Sequence, residues 1–558
     1  MFAIAALTCA AGWALVAALV GAMTSGPIRF EDVSQKAGIG FASNSSPTPN
    51  KNQPETMVSG VALIDYDNDG LLDIFFVNGA AIPSLKKESP AYYNRLYHNN
   101  GDGTFTDVTE KAGVQGDGFD MGVAVGDYDN DGWPDIFVAS VTANHLYHNN
   151  HDGTFTDVTA KAGVAGGMHN GVKMWSTAAG WFDYDNDGKL DLFVSNYVVW
   201  EVNKDPMCLN GGRLRAYCHP KFYEPLPCTL YHNNGDGTFT DVSDSTGIGK
   251  RLGKGMGVAF NDYDGDGFTD IFVANDNWPN ALFHNLGGKS FEEVAMDAGV
   301  AYSESGKAIS GMGAEFRDLH NEGRPDIWHT ATELETFPLF RNRGKGIFVD
   351  TTGRSGLARH TLQMSGWSNG VADFDNDGWK DLFVARSNVL DNIAEFSTRT
   401  FGEPNSIFRN LGGGKFENVS ATAGPDFQTP AVNRGAALGD LDNDGRVDIV
   451  ISVLNGKARI LRNVTEPAGN WITFQLVGTK SNRMGIGAQL KITAEDGAMQ
   501  WDICSTSTGY AASSDPRVHF GIGANKRLRE VEIRWPSGTR QVLKDVEANR
   551  ILRVEEPR

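Results

Sequence analysis

The 558-residue sequence predicts an all-β chain: a seven-bladed β-propeller with calcium-binding blade loops, followed by a small C-terminal β domain. Three observations predict it. An acidic loop of the form D-x-D-x-D-G-x-x-D begins at Asp65, Asp127, Asp183, Asp262, Asp373 and Asp440, with a degenerate copy at Asp318. Each copy lies between two short apolar runs, and a hairpin such as LYHNNGDGTFTDVT (96–109) follows. The copies start 62, 56, 79, 56, 55 and 67 residues apart, and this period stops before residue 467.

Within one unit, the runs flanking the loop (GVALI and DIFFV in the first) are β-branched and aromatic, which suits strands 1 and 2. The Gly-Asp-Gly turn then joins strands 3 and 4. Regular four-stranded units at this period mean a propeller, and seven units mean seven blades. A string of separate domains is disfavoured, because one four-stranded unit cannot bury both of its faces. The ends of the repeat fit a closed ring. A strand of the fourth type, IRFEDVSQKAGI (28–39), precedes any acidic loop, and the last unit ends at ARILRNV (458–464) without one. Residues 28–34 should therefore pair beside 458–464. This divides the chain into an N-terminal segment (1–26), a propeller (27–466) and a C-terminal domain (467–558).

Four carboxylates on one tight loop need a reason. At about 4 Å and an effective dielectric near 20, each pair repels by roughly 4 kcal/mol. The alternating spacing aims the odd positions inward, and the glycine takes a turn that a side chain would block. The oxygen-only set is that of a Ca²⁺ site and not of a Zn²⁺ site. The ligands are Asp65, Asp67, Asp69 and Asp73 with the carbonyl of Leu71; Asp127, Asp129, Asp131 and Asp135 with Trp133; and Asp183, Asp185, Asp187 and Asp191 with Lys189. The other three sets are Asp262, Asp264, Asp266 and Asp270 with Phe268; Asp373, Asp375, Asp377 and Asp381 with Trp379; and Asp440, Asp442, Asp444 and Asp448 with Arg446. About six Ca²⁺ ions are implied. An EF-hand is excluded, since the position-12 glutamate and the flanking helices are missing. A solvated acidic turn would explain one copy but not six. In DLHNEGRPD (318–326), His320 replaces an aspartate and Glu322 is one methylene too long, so this loop should be empty or weak.

The formal charge is −20, and the six intact loops hold 24 aspartates between them. Six Ca²⁺ would leave about −8, an ordinary solubility charge. Net acidity argues against nucleic acid or an anionic membrane as partner. Residues 2–23 are uncharged and apolar and end in small residues, as in a signal peptide, although 22 such residues can also span a bilayer. Either reading places the protein outside the cytoplasm: secreted, periplasmic or at the cell surface. No C-x-x-C or zinc spacing is present, so a disulfide is the expected use of cysteine, with Cys208–Cys218 the first choice across a short loop. Cys228 and Cys504 stay unassigned. His98, His148, His232 and His284 occupy equivalent hairpin positions, which reads as architecture. Met57, Met121, Met174, Met256, Met312 and Met364 precede or open strand 1, in two registers; filling gaps at the channel mouth is expected, a thioether metal ring less so.

Beyond residue 467 the pattern gives strands near 471–477, 486–494, 498–504, 517–521, 528–534, 539–543 and 550–554. The repeats resemble FG-GAP/VCBS repeats, the calcium-bearing propeller repeats of integrin α-chains. The C-terminal stretch resembles an ASPIC/UnbV domain through NRMGIGAQLKI, GYAASSDPRVHFGIG and VEIRWPSG. The combination, with the insertion RAYCHPKFYEPLP, is similar to the bacterial relatives of cartilage acidic protein, without the EGF-like module of the animal member. The resemblance implies a secreted or surface calcium-binding protein and brings no established reaction.

Function is therefore expected to be that of a non-enzymatic scaffold for a protein or glycan partner. The alternative is an extracellular lyase or hydrolase built on the same calcium-stabilised propeller. Against it, the sequence has no G-x-S-x-G, no H-E-x-x-H and no acid pair separable from the loop aspartates. Strands alternate in direction, so acidic loops and Gly-Asp-Gly turns share one face. The long insertions (79–94, 197–228 and 386–405) are all connections between strands 2 and 3 and should share the opposite face, where loops build binding sites on a rigid scaffold. The partner contacts expected there are Trp200, Arg213, Arg215, Tyr217, Phe222, Tyr223, Trp278, Arg386 and Arg399. The competing expectation is that these loops merely pack on one another or on the C-terminal domain.

Overall fold

The computed structural model describes residues 25–558; the N-terminal apolar run and Cys9 lie outside the described residues. Among the described residues no helix is long and apolar enough to cross a membrane.

Blade 1 consists of Val61–Ile64, Asp73–Phe76, Arg95–Asn99 and Phe105–Asp107, paired antiparallel in that order. Six more sheets repeat the meander, with inner strands Asp120–Gly126, Ser176–Phe182, Gly255–Asn261, Ala314–Arg317, Gly366–Ala372 and Asn433–Gly439. Each inner strand packs on the next, and Asn433–Gly439 packs back on Val61–Ile64, which closes a β-propeller. The seventh sheet takes its outer strand from the other end of the repeat. Phe30–Asp32 pairs antiparallel with Arg459–Asn463, Phe30 opposite Asn463 and Asp32 opposite Leu461. Close approach at the axis explains why inner strands carry glycine: a Cβ on Gly435 would lie 2.0 Å from the Ser59 carbonyl oxygen.

The C-terminal domain has two sheets. Asn470–Val477 lies between Val518–Gly523 and Arg550–Glu555, and Gln489–Ala494 lies between Met499–Ile503 and Arg527–Arg534, with Arg540–Glu547 outside. The domain sits on the acidic-loop face. The Arg483 N–H donates to Asn130 Oδ1 at 2.8 Å, the Gly523 N–H to the Asn376 carbonyl at 2.8 Å, and Lys380 Nζ to the Trp501 carbonyl at 2.8 Å. Phe474, Ile492 and Val531 of the domain share one hydrophobic cluster with Trp181 and Leu190 of blade 3.

One segment corrects the expectation of a separate domain. Residues 505–515, read from sequence as a loop between strands, form a hairpin that runs into the propeller axis. Ala512–Ser513 pairs parallel with Val61 and Ala62, turning the first blade into a six-stranded sheet. Ser507 Oγ donates to the Val258 carbonyl, Ser368 Oγ accepts from the Tyr510 N–H, and Ser514 Oγ accepts from the Leu438 N–H. Small hydroxyl residues suit this place: they satisfy the inner-strand backbone groups that a closed sheet leaves facing the channel. Tyr510 at the tip is fully buried and donates to the Met57 carbonyl at 3.0 Å. Around it cluster Met57, Met121, Met256, Met312, Trp175 and Trp367. Four of the six singled-out methionines thus fill the space about the hairpin tip, while Met174 and Met364 lie outside that cluster.

Candidate metal centres

Each acidic loop joins strands 1 and 2, and its geometry is fixed by its own backbone. In blade 1, Asp65 accepts from the N–H groups of Asp69 (3.0 Å) and Gly70 (3.1 Å). Asp69 accepts from Leu71 (2.8 Å). Asp73 accepts from Tyr66 (3.2 Å) and from Asn99 of strand 3 (2.8 Å). Asn68 and Gly70 take left-handed backbone (φ 58° and 87°), which curls the odd positions to one side. The frame repeats in the other five intact loops. Leu71, Trp133, Lys189, Phe268, Trp379 and Arg446 each donate an N–H to the preceding aspartate of the loop at 2.8–3.0 Å.

The frame brings the predicted aspartates together. Oxygens of Asp65, Asp67 and Asp73 lie within 4.8 Å of one another. Burial is the main electrostatic consequence. It pushes the carboxyl of Asp65 up to about 6, Asp73 to about 9, Asp127 and Asp183 to about 8, and Asp440 to about 7, and neighbouring carboxylates add to it. Asp67 Oδ1, Asp185 Oδ1 and Asp375 Oδ1 are buried with no hydrogen-bond partner, and Asp375 is wholly buried. An orphaned acceptor at position 3 of each of these three loops, beside carboxylates that in blade 1 converge within 4.8 Å, fits a hard divalent cation bound mainly through oxygen.

The site has one participant that sequence reasoning put down to architecture. His98 Nδ1 lies 3.3 Å from both Asp67 and Asp73, and His148, His232 and His284 approach their own loops in the same way. At the same register, blades 5, 6 and 7 carry arginine. Arg409 lies 2.6 Å from Asp375 and 3.0 Å from Asp377, and Arg462 pairs with Asp442 and Asp444. The signal was available as HNN, HNN, HNN, HNL, RNR, RNL and RNV along the repeats. The degenerate loop keeps the backbone frame but puts its own side chain among the carboxylates: His320 Nδ1 lies 2.6 Å from Asp326 Oδ2, and Lys380 Nζ of the next loop donates to the Asp318 carbonyl. Glu322 points outward to Arg324 and Arg341, each at 2.6 Å.

On the opposite face, the insertions close on one another. Trp200 is buried against Trp175, Tyr217 donates to Glu55 and Tyr223 to Asp205, and Arg215 donates to the carbonyls of Asn50, Pro206 and Cys208. Arg386 pairs with Glu403, Arg399 with Glu333, and Trp278 donates to the Leu252 carbonyl beneath Lys254. Of the expected contacts, Arg213 and Phe222 stay exposed. Arg213 lies in the turn of the hairpin Cys208–Asn210/Leu214–Ala216 and Phe222 follows it; the hairpin is braced by a Cys208–Cys218 disulfide, with Met207 and Leu209 also exposed. Cys228 and Cys504 are buried and free.

Comparison with known proteins matches the repeats to the FG-GAP-like repeat family at residues 65–138, 127–194, 227–273, 262–329 and 391–451. The chain belongs to that family. Residues 478–558 match the ASPIC and UnbV family. The FG-GAP chain is 25% identical to human cartilage acidic protein 1 over 525 residues, covering 90% of this chain and 73% of the relative. The mouse protein of that name is 25% identical over 522 residues, covering 90% and 74%. Among solved structures, a lectin of Agrocybe aegerita aligns over 79% of this chain and 94% of its own, at 15% identity and a TM-score of 0.37.

Proposed function

We infer that this FG-GAP protein is an extracytoplasmic, calcium-loaded propeller scaffold, non-enzymatic, that presents a partner-binding surface on the face opposite its calcium loops. The observation that carries the calcium reading is the set of buried carboxylates on a pre-formed backbone frame, with the orphaned oxygen of Asp375 as its sharpest member. Export is supported by the apolar N-terminal run and by the Cys208–Cys218 disulfide, which belongs in an oxidising compartment. For the partner, a protein or a glycan, the surface left free by the insertions is the disulfide-braced hairpin with Arg213, Phe222, Met207 and Leu209. Metal analysis after dialysis against Ca²⁺, on wild type and on a chain with Asp326→Ala, tests the first part. About six ions per chain are expected in both, because His320 stands in a ligand place of loop 5 and Glu322 turns away from it. A metal-free wild-type protein would overturn it. Retention on immobilised glycans or peptides, lost on replacing Arg213 and Phe222 together while the melt is unchanged, tests the second; release of new chain ends would mean an enzyme instead.

A further inference from the structure

The loops of neighbouring blades are tied to one another by the residue at loop position 4, which lies between two expected ligands and was not itself a candidate ligand. Asn68 Nδ2 donates to the Gly132 carbonyl at 3.0 Å, Asn130 to Gly188 at 2.8 Å and Asn186 to Gly267 at 2.9 Å. Asn321 donates to Gly378 at 2.9 Å, Asn376 to Gly445 at 2.9 Å and Asn443 to Gly70 at 3.1 Å. Every link therefore runs from one loop tip to the position-6 glycine of the next blade. One link is missing. Loop 4 has Gly265 at this position, and nothing joins its tip to loop 5.

A second ring of asparagines shows what the tip links are for. The strand 3 residues Asn99, Asn149, Asn233, Asn285, Asn342, Asn410 and Asn463 each donate to a loop carbonyl of the preceding blade, at 2.7–3.0 Å. This deeper ring is unbroken and includes the join between blades 4 and 5, where Asn342 meets the Tyr263 carbonyl. If the tip links served the fold alone, the same join would need one. The gap falls instead beside the one loop whose ligand set is broken, with His320 at position 3 held on Asp326 and Glu322 at position 5 turned outward to Arg324 and Arg341. Removing that loop and its gap leaves the six acidic loops in one unbroken series: blades 6, 7, 1, 2, 3 and 4.

We propose that the tip asparagines couple these six loops into a cooperative cation-binding array. This rests on the calcium reading above. A cation that orders positions 3 and 5 of one loop also fixes the asparagine between them. That asparagine in turn holds the position-6 carbonyl of the next loop, adjacent to the position-5 ligand. The neighbour then binds with less of its own freedom left to lose, which is positive coupling without a change of fold. The asparagines are positioning residues, not ligands.

The test is a Ca²⁺ titration of the full chain by calorimetry with variants that glycine already tolerates at this position, as Gly265 shows. Asn68→Gly cuts the series in the middle. Asn321→Gly cuts the link from loop 5, which has no cation to communicate. Wild type is expected to bind with a steep, cooperative isotherm, and Asn68→Gly to flatten it, with the loops on either side of the cut weakened about fivefold or more. Asn321→Gly should leave the isotherm unchanged, and a thermal melt in chelator checks that all three chains are folded. Independent, non-cooperative binding in wild type, or equal flattening by both variants, would overturn the coupling while leaving the calcium reading intact. If wild type takes up no Ca²⁺, the calcium reading falls, and the coupling falls with it.

Discussion

The loops of blades 1 and 5 share a backbone and differ in how they balance charge. In both, the first aspartate accepts N–H groups from positions 5 and 6: Asp65 from Asp69 and Gly70, Asp318 from Glu322 and Gly323. In both, the last aspartate accepts from position 2 and from the strand 3 asparagine. The curl of the loop is thus set by main-chain hydrogen bonds and is common to all. What fills the centre is a separate choice. Blade 1 aims carboxylates and His98 at one point, whereas blade 5 places the imidazole of His320 against Asp326 and turns Glu322 outward. The C-terminal domain holds a third solution: the Glu556 carboxylate accepts from the N–H groups of Thr479, Lys480 and Ser481 at 2.8–2.9 Å, so main-chain donors balance it.

The largest way to break this comparison is to remove the metal. A ligand bound to the native state alone stabilises it by about 2.7 kcal/mol per site at a hundredfold excess over Kd. Chelation should therefore cost more stability than any single substitution, read as a large drop in Tm by calorimetry. An unchanged melt in excess EDTA would reduce the acidic loops to solvated turns. The next largest effect converts blade 5 to the blade 1 type. His320→Asp with Glu322→Asp removes the imidazole from the buried Asp326. In chelator this should cost about 1–3 kcal/mol in a denaturant melt, the usual penalty for leaving a buried polar group without its hydrogen-bond partner. In Ca²⁺ the same variant should recover the loss and bind one more ion than wild type. If it loses stability and gains no ion, the shared frame alone does not make a site.

A smaller effect is expected where the strand 3 partner is arginine. Replacing Arg409 and Arg462 with histidine gives blades 6 and 7 the partner of blades 1–4. The Arg462–Asp442 pair is part-exposed and worth about 1 kcal/mol or less, so Ca²⁺ affinity at loop 7 should rise by up to about fivefold, and by more at loop 6, where Arg409 holds the buried Asp375. A fall would show that the guanidinium groups position the ligands and do not compete with the ion. The smallest effect concerns Glu556. Burial alone would raise this carboxyl, but hydrogen bonds from Ser537 and three backbone N–H groups outweigh it and hold it at about 2, against an ordinary 4.5. Its folded value is depressed, so its contribution is complete above pH 4.5 and is lost as pH falls through about 2. Glu556→Gln should flatten the acid limb of the stability profile slightly and leave stability at pH 7 lower. An unaltered acid limb would assign that limb to other carboxylates.

The sequence by itself determined the features that short range decides. Position-by-position spacing placed the loop aspartates, because nine residues with a glycine turn have few ways to curl. The phase of the repeat placed Phe30–Asp32 beside Arg459–Asn463, since the only unit lacking an outer strand had to borrow one. Tertiary structure alone decided the rest. Residues 505–515 are small and hydroxylated with no apolar period, so nothing local marks them as the segment that fills the axis; only the unpaired inner-strand groups there do. Trp200, Tyr217 and Arg399 look from sequence like an open recognition surface, yet neighbours far along the chain enclose them. The tip asparagines recur visibly, but a left-handed turn accounts for their recurrence within one loop. That each reaches the next blade is a fact about the ring, because only closure brings residues roughly sixty positions apart within hydrogen-bonding distance.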